Sequence, residues 1–526
     1  MPVVADAVLY EPDVPCVAPD GAVLATDVYR PAGGGRHPAV LQRTPYDKRQ
    51  YPLTWPLLDP RKLAAAGYVV AIQDVRGRFA SDGDFVPYLN EADDGVAAIR
   101  WLSEQPYCDG TVGMYGMSYM GGVQWLAAQR RPPALRALAP ATAPFDFQAD
   151  HFRRGGALAL GLLLTFVLAV IAPNRVLRRG GQGFVELVDD IDRLTELARD
   201  PVAAVERHDP ELAAWMTRVI AGGGVPERPP SAGAPALQIA GWHDVLLQPD
   251  LDRFAEMQTS AATPEARERS RLVVGPWAHA AFLNGVGQLD FGVRASSAAL
   301  DLQGDLTDLH RRWFDAQLRG ARDDEPPVKV FVMGPNRWRD LDSWPPEVTR
   351  LRLHLHAGGR LAEPPPEASD PSEFWLDGDD PVPTLGGAIL LTAGYLRGPV
   401  EQSLRERRRD VLTFTSEPLE APLLVLGRVA LDAWVGAPGD VVARLCDVAP
   451  DGRSFNVVDG IRRVRDPGRV HVDLWSTAQR FERGHRLRLQ VCASDFPRYD
   501  LGVTGRNAIY HAPDRPSALL LPVARE

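Results

Sequence analysis

One strand–turn–helix junction, centred on Ser118, constrains this chain more than any other stretch. Thr111 to Tyr115 reads as a buried strand, Gly116-Met117-Ser118-Tyr119-Met120-Gly121-Gly122 follows with no spacer, and a helical run continues to about Arg130. Small residues flanking a serine allow the strained turn that lifts its hydroxyl off the end of a sheet, and the helix starting there aims backbone N–H groups at any anion formed beside it. The usual nucleophile elbow is G-x-S-x-G, whereas here the second glycine, Gly121, lies three residues beyond the serine. The string is therefore a hypothesis that the rest of the chain must support.

The surrounding pattern supplies that support. An opening hairpin is predicted over Ala7 to Cys16 and Val23 to Tyr29, turning at Asp20-Gly21. A short strand follows from His37 into the loop at Thr44-Pro45-Tyr46, then helical sequence to about Ala66 with Gly67 as its stop. Tyr68 to Gln73 is a continuous apolar run of the kind buried on both faces of a parallel sheet, and Glu91 to Glu104 is an amphipathic helix. Strand–helix alternation of this sort predicts an α/β fold. It lapses after Pro144 into helix-like sequence up to about Gly224, then resumes at Ala236 to Ala240, Leu272 to Val274 and Val328 to Met333, where the sheet is expected to close. From about Thr349 the texture becomes period-two, as in Arg350 to Leu355, Arg469 to Leu474 and Arg486 to Val491, predicting an antiparallel β-sandwich. The expected division is 1–145 with 236–346 for the α/β unit, 146–235 for an inserted helical cap and 347–526 for the sandwich.

Composition narrows the function. A length of 526 residues calls for more than one core, and a 45% apolar, 24% charged chain is ordinary for a soluble globular protein. The net charge of −10 argues against nucleic-acid binding. The basic run Arg405 to Arg409 is read as a solvated loop between strands. Cys16, Cys108, Cys446 and Cys492 show no metal-site or disulfide spacing, and the first residues lack a basic segment followed by an apolar one, so a cytoplasmic location is expected. Gly155 to Ala172 is 18 residues without a charge, at the lower limit for a membrane span. Because flanking strands must meet in one sheet, it is expected to be buried, lining a pocket or packing against a second copy of the chain, with no membrane involved.

A serine hydroxyl needs a base, and the base needs an orienting carboxylate, in the chain order Ser, Asp or Glu, His. Asp244 follows the strand ending at Ala240, and His279 follows the strand at Leu272 to Val274, so both fall where open α/β sheets place their sites. His243 is the competing base, but neighbours on an extended segment point apart and the later histidine fits the chain order better. Asp250 and Asp252 are competing carboxylates, read as solvated positions on the following helix. Tyr46 either covers a core edge or donates its phenolic O–H to a developing oxyanion beside the N–H of Tyr119, a choice that spacing leaves open.

The strings RTPYDK at Arg43 to Lys48, DVRGRFASDGDF at Asp74 to Phe85, GMSYMGG around Ser118, GWHD ending at Asp244 and GPWAH ending at His279 together resemble the cocaine-esterase-like hydrolases of the X-Pro dipeptidyl-peptidase superfamily. NRWRDLDSWPP, TSEPLEAPLLVLG and LWSTAQRFERGHRLRLQVCASDFPR resemble that family's C-terminal jelly-roll. The resemblance implies an α/β-hydrolase domain with an inserted helical cap and a C-terminal jelly-roll, a Ser118–His279–Asp244 triad, and an oxyanion hole made by Tyr46 and the Tyr119 N–H. It implies no metal and no organic cofactor. Trp242, Trp277 and Met120 are the substrate-contact candidates, and the apolar Met120 together with the aliphatic cap favours a hydrophobic ester. X-Pro dipeptidyl-peptidase-like or amino-acid-ester or amide cleavage, acyl transfer from the same acyl-enzyme, and a silent binding role are the alternatives.

Overall fold

In the computed structural model the described residues are 8–50, 57–147, 151–391 and 394–525. Ala7, the predicted start of the first strand, lies outside them, as does 51–56 within the stretch expected to be helical. Among the described residues that stretch holds one short helix, Pro60–Ala65, started by the Asp59 side chain accepting from the Arg61 and Lys62 N–H groups.

A ten-stranded sheet carries the first part of the chain. Its strands are β1 (Val8–Val17), β2 (Val23–Pro31), β3 (His37–Thr44), β4 (Val69–Asp74), β5 (Cys108–Met117), β6 (Leu135–Ala141), β7 (Leu237–His243), β8 (Arg271–Ala278), β9 (Val328–Val332) and β10 (Arg337–Leu341). They lie in the order β1-β2-β4-β3-β5-β6-β7-β8-β9-β10. From β4 to β9 every pairing is parallel, and β1–β2, β2–β4 and β9–β10 are antiparallel. The sheet, expected from sequence to close at Val328 to Met333, does not close there. Arg337–Leu341, part of a string assigned above to the jelly-roll, pairs with β9 and adds a tenth strand. Its five residues are all exposed or half-buried, as on a sandwich's wet face, because an edge strand is also open to solvent.

Chain order reverses between β3 and β5, so the loops leaving these strands flank a crevice at the sheet's switch point, the usual ligand position in open α/β sheets. The loop after β3 carries Tyr46 and the turn after β5 carries Ser118. Helices Glu91–Ser103, Tyr119–Ala128, Leu247–Ser260 and Leu306–Arg319 cover the sheet.

Between β6 and β7 the chain makes a series of helices from Leu160 to Ile220. The predicted apolar helix begins later than Gly155. Arg153–Arg154 and Ala157–Leu158 instead form a small hairpin, and a Cβ at Gly155 would sit 1.8 Å from the Ile461 carbonyl oxygen. Leu160–Leu164 then runs through a π-helical turn, Thr165–Ile171, into Ala172–Arg178. The helical stretch Leu160–Arg178 is long and apolar enough to cross a membrane, and 72% of its apolar window is buried within the protein. It packs with Phe147, Phe152, Trp215 and Met216 in one apolar cluster.

The remaining chain is strand-rich, with an eleven-stranded sheet running from Thr349–His356 to Ala518–Val523. Its long strands include Leu423–Val435 paired antiparallel with Gly468–Phe481; the first is buried along most of its length, and the second alternates in exposure only over its first half. One cluster joins Trp242, Val330 and Phe331 of the first sheet, and Phe254 of the helix Leu247–Ser260, to Val425, Leu431, Val472 and Leu489 of the second sheet, so the two units share a core. The basic run proves not to be a solvated loop. Arg405 is buried, paired to Asp495 at 3.1 Å, and Arg408 pairs with Asp380 and Asp410. The four cysteines are all buried and free.

Candidate active site

The elbow is set by glycine geometry. Ser118 has φ 55°, ψ −125°, a left-handed-side conformation that a side chain tolerates only when its surroundings enforce it. Its N–H donates to Ala141 O at 2.9 Å, while its carbonyl accepts from the Gly121 and Gly122 N–H groups at 2.9 Å. A Cβ on Gly116 would approach Met120 Cβ to 2.6 Å, and one on Gly121 would approach Ala143 Cβ to 2.6 Å. This accounts for the altered spacing. The helix presses against the end of β6 at Gly121, and the position usually given to glycine holds Met120, which lines the cavity.

β7 and β8 deliver the other two groups. Gly275 pairs with Gly241 but Ala278 pairs with His243, so β8 carries one extra residue there. Such a bulge re-aims the residue that follows it. His279 Nε2 lies 2.9 Å from Ser118 Oγ, and Nδ1 lies 2.9 and 3.1 Å from the Asp244 carboxylate oxygens. A carboxylate only accepts, so Nδ1 carries the proton and Nε2 accepts from the serine hydroxyl. Asp244 is fully buried and also accepts from the Leu246 N–H at 2.8 Å.

The competing residues are elsewhere. His243 is buried, stacks on Phe291 with centroids 6.1 Å apart, and is pushed down to about 4 by burial. Asp252 pairs with Arg428 at 3.1 Å. Asp250 was expected to be solvated, yet it is 1% exposed, accepts from the Ala143 N–H at 3.2 Å, and is held well above the usual carboxylate range by burial and by the nearby Asp244 charge.

Tyr46 hangs on a set of buried polar ties that tie the RTPYDK and DVRGRF strings together. Its N–H donates to Thr44 Oγ1 at 3.0 Å, Arg78 Nε donates to the Pro45 carbonyl at 2.8 Å, and the Lys48 N–H donates to Asp74 at 2.7 Å. The phenol lies next to the Ser118 side chain and the Tyr119 N–H, and burial raises its pKa. The Tyr119 side chain points away from the serine. Its hydroxyl donates to Glu91 at 2.8 Å, and Glu91 is in turn held by buried Arg43 at 2.5 Å.

A cavity of about 260 Å³ opens over Ser118. Tyr88, Met117, Leu162, Phe166, Val170 and Leu246 give it an apolar lining, and His151, pushed down to about 3 by burial and by His279, adds a neutral polar edge. Arg78 fixes the π-helical wall, donating to the Ile171 and Val170 carbonyls at 2.9 and 3.0 Å. Leu390 and Arg397, from the strand-rich unit, complete the rim, with Arg397 Nη1 donating to the His279 carbonyl at 2.6 Å. Sequence reasoning missed His151, Leu390 and Arg397, while Phe166 falls in the apolar segment Gly155 to Ala172 expected to line a pocket or pack against a second copy.

Of the substrate-contact candidates, Met120 lines the cavity and the two tryptophans do not. The Trp242 indole donates to Phe331 O at 2.7 Å and packs on Trp344. The Trp277 indole donates to Ala295 O at 2.7 Å, and its ring lies where Cβ atoms on Gly275 would be, at 2.4 Å. On an unbroken strand each tryptophan would share a face with the site residue two positions on, but Asp244 lies past the strand end in a turn closed by its N–H on Gly241 O, and β8 bulges between Gly275 and Ala278, so strand phase does not carry either tryptophan to the site.

An α/β sheet with a serine on a strained elbow, in contact with a carboxylate-oriented histidine, defines a serine hydrolase. The chain belongs to the cocaine-esterase-like hydrolases of the X-Pro dipeptidyl-peptidase (S15) superfamily. Residues 20–281 match the X-Pro dipeptidyl-peptidase (S15 family) model and 319–519 match the X-Pro dipeptidyl-peptidase C-terminal non-catalytic domain. Cocaine esterase of Rhodococcus sp. (strain MB1 Bresler) is 33% identical, over 96% of this chain and 97% of that relative. Similar solved structures include an aminopeptidase from a marine sediment archaeon (Thaumarchaeota archaeon; TM-score 0.75, 22% identity, 98% and 97% covered) and a selenomethionine-labelled α-amino acid ester hydrolase (TM-score 0.72, 23% identity, 99% and 98% covered). At those identities the two structures speak to the fold alone.

Proposed function

We propose that the chain is a carboxylic-ester hydrolase for small molecules with an apolar body, working through an acyl-enzyme on Ser118. The observation that carries the reading is the unbroken relay from Ser118 Oγ through His279 to Asp244, each contact at 2.9 Å. In this reading His279 Nε2 takes the serine proton as Oγ attacks the carbonyl carbon, and Asp244 stabilises the imidazolium. The carbonyl oxygen moves in beside the Tyr46 hydroxyl and the Tyr119 N–H, two donors that lie together next to the serine. His279 then protonates the departing alcohol, and a water activated by the same nitrogen releases the acid.

Ester cleavage is favoured over aminoacyl substrates by the charge of the cavity. A free α-ammonium group needs an anionic partner, and among the described residues the lining contains no Asp or Glu and does contain Arg397. The apolar lining supports an apolar acyl chain. Stopped-flow hydrolysis of p-nitrophenyl acyl esters tests the reading. A burst of p-nitrophenol equal to the enzyme concentration, with a preference for medium chains over acetyl, is expected. Absence of turnover on every chain length would refute it.

A further inference from the structure

Arg397 is unlike everything else that lines the cavity. Its Nη1 is used by the His279 carbonyl at 2.6 Å, and among the described residues no Asp or Glu pairs with the guanidinium. The charge that supports it is Asp244, already held by His279 at 2.9 Å, while burial opposes it. Arginine stays protonated near neutral pH, so this is a cation set beside an apolar wall without a counter-ion of its own.

The cation is also held in place. Gly387 and Gly398 exchange N–H···O bonds of 2.8 and 2.9 Å, and Gly398 O accepts from Asn456 Nδ2 at 3.1 Å. The Val400 N–H donates to Asn456 Oδ1 at 2.7 Å. Gly398 has φ +84°, and a Cβ there would meet Val286 Cγ1 at 2.5 Å, so the residue after Arg397 is pressed against the loop beyond His279. An arginine with its neighbouring backbone pinned and Nη1 held by the His279 carbonyl, lining an apolar cavity, matches a carboxylate, which can accept two N–H bonds from a guanidinium.

We propose that Arg397 is a specificity-determining residue that receives a carboxylate carried by the substrate, making the natural substrate an amphiphilic ester whose apolar body bears an anion. The inference rests on the hydrolase reading above and names the substrate class for that site. Its cost to neutral esters is small, because the apolar wall remains available to them.

The test uses matched esters in two arms. One compares p-nitrophenyl hydrogen glutarate with its methyl ester, placing the carboxylate on the acyl side. The other compares 3-acetoxybenzoate with methyl 3-acetoxybenzoate, placing it on the leaving group. In at least one arm wild type should show a kcat/KM ratio favouring the anion by on the order of tenfold. The ratio should fall to about one in Arg397→Gln and recover in part in Arg397→Lys. A residue that only braces the His279 carbonyl would lower both members of a pair and leave the ratio alone. No preference in either arm, or a ratio that survives in Arg397→Gln, overturns the proposal. Should Arg397→Gln fail to fold, inhibition of wild type decides. Glutarate competing no better than glutaramide overturns it, and tighter competition by glutarate supports it. Wild type that turns over no ester at all refutes the hydrolase reading instead, so the two failures are distinguishable.

Discussion

The floor of the cavity and its walls are assembled in different ways. On the floor, Ser118, Asp244 and His279 leave the C-terminal ends of β5, β7 and β8, and each is positioned by a feature a few residues away: a glycine that must be small, a bulge, a turn. The walls come from the helical stretch at Leu160–Arg178 and from Leu390 and Arg397 in the strand-rich unit, brought together only by the packing of three separate parts of the chain. Rigid strands hold groups to fractions of an ångström, which chemistry requires. Helical and loop walls repack at small cost, which suits a surface that chooses substrates. Substitutions on the floor should therefore change kcat, and substitutions in the walls should change which ester is preferred.

The largest effect is expected for Ser118→Ala or His279→Ala, each lowering kcat by about 10⁴-fold or more with the thermal midpoint preserved. His243→Asn should leave the rate within the same order of magnitude, and a collapse equal to that of His279→Ala would move the base to His243. Next, Tyr46→Phe removes one of the two proposed oxyanion donors, and kcat should fall by roughly 10²- to 10³-fold with KM little altered. A change confined to KM would make Tyr46 part of the wall.

Arg78→Met attacks the seam between floor and wall. It strands the Pro45, Val170 and Ile171 carbonyls in a buried place, and one unsatisfied buried group costs about 1–3 kcal/mol. A lower urea midpoint together with a blunted chain-length preference is expected, whereas lost stability with an intact preference would mean the π-helical wall is set by its own apolar packing.

The smallest effect is on the pH dependence of stability. His151 and His243 are neutral and buried, pushed down to about 3 and about 4. Folded-state values below the unfolded value of about 6.5 give stability that is complete above it and is lost as pH falls toward those values. Asp74, raised to about 6 by burial, runs the other way, and its contribution is present below the unfolded carboxylate value and lost as pH rises through about 6. Urea midpoints between pH 7 and pH 4.5 should fall, and His243→Asn should flatten that slope. An unchanged slope would show that the buried carboxylates dominate.

What the sequence disclosed follows the same division. The alternation of strands and helices, the chain order of serine, aspartate and histidine, and the switch to period-two texture near Thr349 are local patterns, each written in contiguous residues. Tyr46 was not decided by its own spacing, because its place depends on Arg78 and Asp74 gripping its loop from another strand end. Trp242 and Trp277 misled because a spacing of two from Asp244 and His279 implies a shared strand face, and the turn at Asp244 and the bulge before His279 break that phase. Asp250 looked solvated because helical phase alone does not show that the segment after β6 covers it at Ala143. Arg397 had no sequence signal beyond being a lone arginine in a glycine-containing segment, and its role depends on a contact with His279, 118 positions earlier.

The most direct test of the central claim is intact-mass spectrometry after brief exposure to a fluorophosphonate, on wild type and on Ser118→Ala. One adduct on wild type that disappears in Ser118→Ala is the predicted result, while an unmodified wild type, or an adduct that persists in Ser118→Ala, would contradict a nucleophile at the end of β5.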